Sequence, residues 1–143
     1  MLKKITANII VDSVNEILDF YEEVLGFSLV MAVHEGSQQV VTAREAATPL
    51  GFAIIRRDDV ELMLQSRKSL AKELPSLAGA PVGTSFTLYI HVDDIEALYK
   101  GIKDKAAIIE DLRTTFYGAR EFCIRDSGGH VLTFATSQQE IVA

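Results

Sequence analysis

The sequence has no tryptophan, one cysteine and only three prolines among its 143 residues, and cations are outnumbered by anions. The lone Cys123 excludes an internal disulfide and suits a reducing compartment, so a cytoplasmic location is expected. Fourteen Lys and Arg against 20 Asp and Glu leave a net charge of −6. A chain of that sign lacks the basic face that a phosphate backbone needs, which sets nucleic acid aside as a partner. No apolar run approaches the length of a membrane span, so no membrane partner is expected. The opening MLKK leads into an interrupted strand and not an apolar stretch with a cleavage site, so no signal peptide is expected. The missing tryptophan removes the best stacking side chain for a large aromatic ligand. The three histidines, His34, His91 and His130, show no metal-ligand spacing.

What is present is ordinary in amount but ordered in pattern. Hydrophobic residues make up 48% and charged residues 24%, as in a soluble globular domain. From Thr84 to Lys103 the chain reads TSFTLYIHVDDIEALYKGIK. Phe86, Leu88, Ile90 and Val92 alternate with Thr87, Tyr89 and His91, the period of a strand with two different faces. Asp93 and Asp94 then offer an N-cap, and Ile95, Leu98, Tyr99 and Ile102 form an apolar helical stripe. The same grammar opens the chain. Ile5, Ala7, Ile9 and Val11 alternate with Thr6, Asn8 and Ile10. Ser13 and Glu16 have the spacing of a capping box, and Val14, Ile17, Leu18, Tyr21 and Leu25 make the stripe. Val92 lies 81 residues after Val11, so one strand-helix unit occurs twice.

Around these units the pattern predicts strands at 27–33, 39–42, 51–56 and 60–65, then at 106–112, 120–125 and 130–136. A helical segment near 70–77, broken by Pro75, sits in a linker at 66–83. The organisation expected is module 1 at 1–65, module 2 at 84–136 and a loose tail at 137–143. Each module reads β-α-β-β-β, an α+β class. With a helix on one face of each sheet, the opposite faces can join as a curved mixed sheet around a shared cleft. Alternation puts Ile9, Val11, Leu62, Leu64, Leu88, Ile90, Leu132 and Phe134 beside the helices. It puts Thr6, Asn8, Glu61, Met63, Gln65, Thr87, Tyr89, His91, Cys123 and Thr133 on the cleft side, a distinctly more polar set.

Several segments together resemble the vicinal oxygen chelate superfamily of glyoxalase I, fosfomycin- and bleomycin-resistance proteins and extradiol dioxygenases. They are Val11 to Phe27, Val60 to Gln65 (VELMLQ), His91 to Leu98, and Tyr117 to Phe134 (YGAREFCIRDSGGHVLTF). Ser127-Gly128 departs from the Pro-Asp common in the family's turn. The resemblance implies four cleft-facing ligand positions, which fall on Thr6, Glu61, Thr87 and Thr133. Three hydroxyls and one carboxylate are a poor donor set for a divalent transition metal. No metal and no cofactor are therefore expected.

What the resemblance implies is a metal-independent binder of a small organic molecule, of the bleomycin-resistance type. The acidic balance favours a cationic ligand. Candidate contacts are Thr6, Asn8, Phe52, Ile54, Glu61, Met63, Thr87, Tyr89, Tyr117, Arg120, Cys123 and Thr133. Each has a plainer reading. Phe52, Ile54 and Met63 serve equally as core. Tyr117 and Arg120 serve as loop packing and a surface ion pair, and Cys123 as a small core residue. His34 and His130 read as surface residues. Glu61 is either a carboxylate satisfied by its neighbours or, in the alternative reading of a glyoxalase-like lyase or isomerase, a general base. A homodimer is expected, because members of this superfamily commonly pair modules between chains and a short sheet edge needs covering.

Overall fold

The structure is a computed structural model that describes residues 1–83 and 85–137. The expected start of the second module at Thr84 and the tail at 138–143 lie outside these residues. The chain divides into two compact units, Met1–Val82 and Gly83–Ala143.

The first unit runs β1 (Asn8–Val11), α1 (Val14–Glu23), β2 (Ser28–His34), β3 (Val40–Val41), β4 (Leu50–Arg57), β5 (Val60–Ser66) and α2 (Arg67–Glu73), with a 3-10 turn at Pro75–Leu77. Its sheet has the order β1-β5-β4-β2-β3. Strand β1 lies parallel to β5, with Ile9 beside Leu64; the other pairs are antiparallel. A parallel pair needs a crossover that covers a sheet face. Here Val14, Ile17, Leu18 and Tyr21 of α1 bury the apolar stripe, together with Ile9, Val11, Ala53, Ile55 and Leu64. Ser13 Oγ accepts the Glu16 N–H at 3.3 Å and starts the helix. Gly26, at φ +69°, turns the chain after it, a conformation that glycine adopts without a Cβ clash.

The second unit runs β6 (Thr87–His91), α3 (Ile95–Ile102), β7 (Ala107–Thr114), β8 (Ala119–Arg125) and β9 (Val131–Ser137), in the order β6-β9-β8-β7. Strands β6 and β9 are parallel, with Ile90 beside Phe134. Asp94 caps α3 by accepting the Ala97 N–H. Ile95 and Ile102 are buried, as are Phe122, Ile124, Leu132 and Phe134 of the sheet. The two helices begin 81 residues apart, at Val14 and Ile95, matching the offset in the sequence.

Three local expectations are corrected. Strand β1 begins at Asn8, leaving Thr6 ahead of it. The linker helix begins at Arg67, because the buried Ser66 caps it by accepting the Ser69 N–H; the expected start at Leu70 missed that cap. His130 is not a surface residue but 3% exposed. Its N–H and that of Gly128 both donate to Asp126 Oδ1 at 2.9 Å, and its Nδ1 lies 3.1 Å from each Asp126 oxygen. The carboxylate thus replaces the rigidity that proline would give this turn.

The face assignment predicts a contrast in stability between neighbours. Leu64→Ala opens a void behind α1 and is expected to cost about 3 kcal/mol. Met63→Ala, pointing the other way and partly exposed, is expected to cost about 1 kcal/mol or less. Chemical denaturation of both variants checks this, and equal losses contradict the assignment.

Candidate functional site

In the first unit, alternation brings Asn8, Phe52, Ile54, Glu61, Met63 and Gln65 to the sheet face opposite α1. The register confirms the grouping: Asn8 is beside Met63, Ile54 beside Met63, and Phe52 beside Gln65. Gln65 is 4% exposed and anchors this face. It accepts from Asn8 Nδ2 at 2.9 Å and donates to Ser69 Oγ and Glu73 Oε2, both at 3.1 Å.

Glu61 is held by two cationic neighbours. Arg56, its cross-strand partner, donates to Oε2 at 2.5 Å, and Lys4 donates to Oε1 at 3.1 Å. Arg56 first and Lys4 second hold its carboxyl below the usual carboxylate range, against a smaller opposing effect of burial. Both oxygens are engaged by cations. Such a carboxylate is a weak base and a poor anchor for a further cation.

In the second unit, Thr87, Tyr89 and His91 lie on the face opposite α3, beside Val131, Thr133 and Ala135. Cys123 is beside Thr133, and Thr133 Oγ1 donates to its Sγ at 3.5 Å. Glu121, beside Ala135, shares this face and is the residue that sequence reasoning missed. It is 6% exposed, and the two phenols converge on it. Tyr89 Oη donates to Oε2 at 2.9 Å and Tyr117 Oη to Oε1 at 2.8 Å, with Arg113 Nη2 3.7 Å away. Burial, then the Glu121 carboxylate, pushes the Tyr89 phenol up to about 12, so it stays protonated and donating. The signal was available: Glu121 lies two residues before Cys123 and therefore on the same face. Arg120, by contrast, pairs with Glu96 of α3 at 2.9 Å, on the helix side, and is not brought to this group.

The rings of the cluster remain accessible. Tyr89 is 47% and Tyr117 57% exposed, although their hydroxyls are tied to a buried carboxylate. A ring fixed by its polar end offers a flat apolar surface that loses little entropy when a ligand lands on it.

The residues at the four implied metal positions do not fit a metal. Thr87 and Thr133 offer hydroxyls in the second unit, Thr6 another in the first, and Glu61 is occupied by Arg56 and Lys4. Among the described residues no group of three or more His, Cys, Asp or Glu could hold a metal ion. No helix among them is long and apolar enough to cross a membrane.

Comparison with known proteins agrees with this architecture. The family model of the Glyoxalase/Bleomycin resistance protein/Dioxygenase superfamily matches residues 4–134. No curated protein matches. Among solved structures, TioX from Micromonospora sp. ML1 superimposes with a TM-score of 0.68 at 16% identity, over 95% of this chain and 99% of that one. A glyoxalase/bleomycin resistance protein/dioxygenase from Nocardioides gives 0.68 at 15%, over 96% and 85%. The bleomycin-binding protein from Streptomyces verticillus, complexed with copper(II)-bleomycin, gives 0.57 at 20%, over 94% and 97%. At these identities the likeness is one of fold.

The state of Glu61 has a definite pH signature. Its folded value is depressed, so the stability it contributes is present above its ordinary value of 4.5 and is lost as pH falls through the folded value. Denaturation midpoints of the parent and Glu61→Gln should therefore differ near neutrality and converge in acid below 4.5. A gap that stays constant contradicts the pairing with Arg56 and Lys4.

Proposed function

The chain belongs to the Glyoxalase/Bleomycin resistance protein/Dioxygenase superfamily, and we propose that it binds a small organic molecule without a metal ion and performs no chemistry on it. The observation that carries this reading is the Tyr89–Glu121–Tyr117 cluster on the sheet face opposite α3. It joins two accessible aromatic rings to one buried carboxylate with capacity for further donors. A ligand with an aromatic or apolar body and a donor group, including a cationic one, is held by stacking on the rings and hydrogen bonding to Glu121. Cys123 and Thr133 complete the surface beside it.

The donor chemistry supports independence from metal, since hydroxyls predominate at the implied ligand positions. The enzyme reading built on Glu61 as a base loses support, because that carboxylate is paired twice and held ionised. The Streptomyces verticillus neighbour is a bleomycin-binding protein complexed with copper(II)-bleomycin, which supports binding of an organic molecule as the mode. Self-association belongs to the same reading: Phe116 is fully exposed and Phe86 is 42% exposed, apolar surface that a second copy would cover. Sedimentation at micromolar concentration should exceed the 15.7 kDa of one chain, and a species of that mass removes the dimer.

A thermal-shift screen of aromatic molecules, with and without a cationic group, tests the binding. A ligand at a hundred times its Kd stabilises the fold by about 2.7 kcal/mol, which a melting curve resolves. Hits should persist in chelator and weaken about tenfold in Glu121→Gln, the loss of one charge-assisted hydrogen bond. Hits abolished by chelator, or unaffected by Glu121→Gln, contradict the proposal.

A further inference from the structure

The first unit carries a groove of about 690 Å³, lined in part by Val33, His34, Glu35, Phe52, Lys68 and Glu73. That volume lies within the range that takes a small-molecule ligand. It forms where the residues after β2 approach α2. Gly51 allows the approach, since a Cβ there would lie 3.3 Å from Glu35 Oε1 and 3.5 Å from Ser69 Cβ.

The charges of the groove are arranged in two kinds. Lys68 and Lys72 stand one turn apart on α2, both exposed, and among the described residues neither side chain has an ion pair or hydrogen bond. Glu35 and Glu73 are held in place by neutral donors. Ser66 Oγ donates to Glu35 Oε1 at 3.1 Å, and Gln65 Nε2 donates to Glu73 Oε2 at 3.1 Å. The donors Ser66 and Gln65 are themselves buried, so the carboxylates are fixed while the ammonium groups are free to swing. Neither carboxylate is within ion-pair distance of a cation among the described residues. The groove therefore offers two positive and two negative charges, none of them paired with another. His34 adds a separate mark: its Nε2 is buried with no hydrogen-bond partner.

A purely anionic ligand would meet Glu35 and Glu73, and a purely cationic one would meet Lys68 and Lys72. Only a molecule bearing both signs satisfies the set. We propose that this groove is a binding site for a small zwitterion of amino-acid type with an apolar body. Its carboxylate lies toward Lys68 and Lys72, its ammonium toward Glu35 and Glu73, and its body against Phe52 and Val33. The inference rests on the first unit alone and stands whether or not the aromatic cluster of the second unit binds anything.

Three probes with one phenyl body test it: L-phenylalanine, 3-phenylpropanoate and phenethylamine, titrated calorimetrically at neutral pH and low salt. L-Phenylalanine should bind at least tenfold more tightly than either singly charged probe. Lys68→Ala/Lys72→Ala should bring it down to the affinity of phenethylamine, and Glu73→Gln toward that of 3-phenylpropanoate. Melting temperatures of the variants, altered only at exposed positions, verify that they fold. Equal affinity for the three probes, no binding of L-phenylalanine, or an unchanged affinity in the double lysine variant overturns the proposal.

Discussion

Parallel closure is the constraint on which each half of this protein depends. A strand that must lie parallel to a later one cannot be reached by a tight turn. The intervening chain crosses a face of the sheet, and the helix it carries buries that face. Ile9 beside Leu64 and Ile90 beside Phe134 are the register of the two closures. Ile9, Val11, Leu62 and Leu64 in the first sheet, and Leu132 and Phe134 in the second, are buried on the helix side. The polar and aromatic side chains that alternate with them are consequently displayed on the opposite face, at fixed spacing, without further cost in folding. The one-sidedness of each sheet is thus both its core and its means of presenting a surface.

What that surface can do is decided by which of its charges are already spent. Glu61 faces the right way but is neutralised by Arg56 across the strand pair and by Lys4. Glu121 also faces away from its helix, and its nearest donors are phenols, which hold it without cancelling its charge. Arg113, at 3.7 Å, is the one cation within reach of it among the described residues. In the proposed binding role, the distinction between a paired and a merely hydrogen-bonded carboxylate favours the second unit's acid over the first's.

The fold was legible in the sequence because it is written in periods. Alternation over Ile9, Val11, Leu62 and Leu64, and helical spacing over Val14 to Tyr21, each follow from backbone geometry and survive any tertiary detail. The 81-residue recurrence added the duplication. The site was legible only in outline. Alternation placed Tyr89, Cys123 and Thr133 on one face, and it applied equally to Glu121, whose burial and phenol partners no local pattern announces. Arg56 was one strand away from Glu61, and only the β4–β5 register reveals that they are opposite. Arg120 sits one residue from the cluster, yet that single step turns it to the helix side. His130 and the cap at Ser66 escaped for the same reason: their partners are set by turn geometry and packing, not by spacing.

The central claim is that ligands are received on the sheet faces turned away from the helices, with the Tyr89–Glu121–Tyr117 group as the anchor. Amide chemical-shift mapping of the isotopically labelled chain during titration of a ligand is its most direct test. The account predicts that shifts concentrate at Tyr89, Tyr117, Glu121, Cys123 and Thr133, while Ile90, Phe122 and Phe134 on the helix side move little. Shifts centred on α3 and its buried partners, with the tyrosine cluster unmoved, would contradict it.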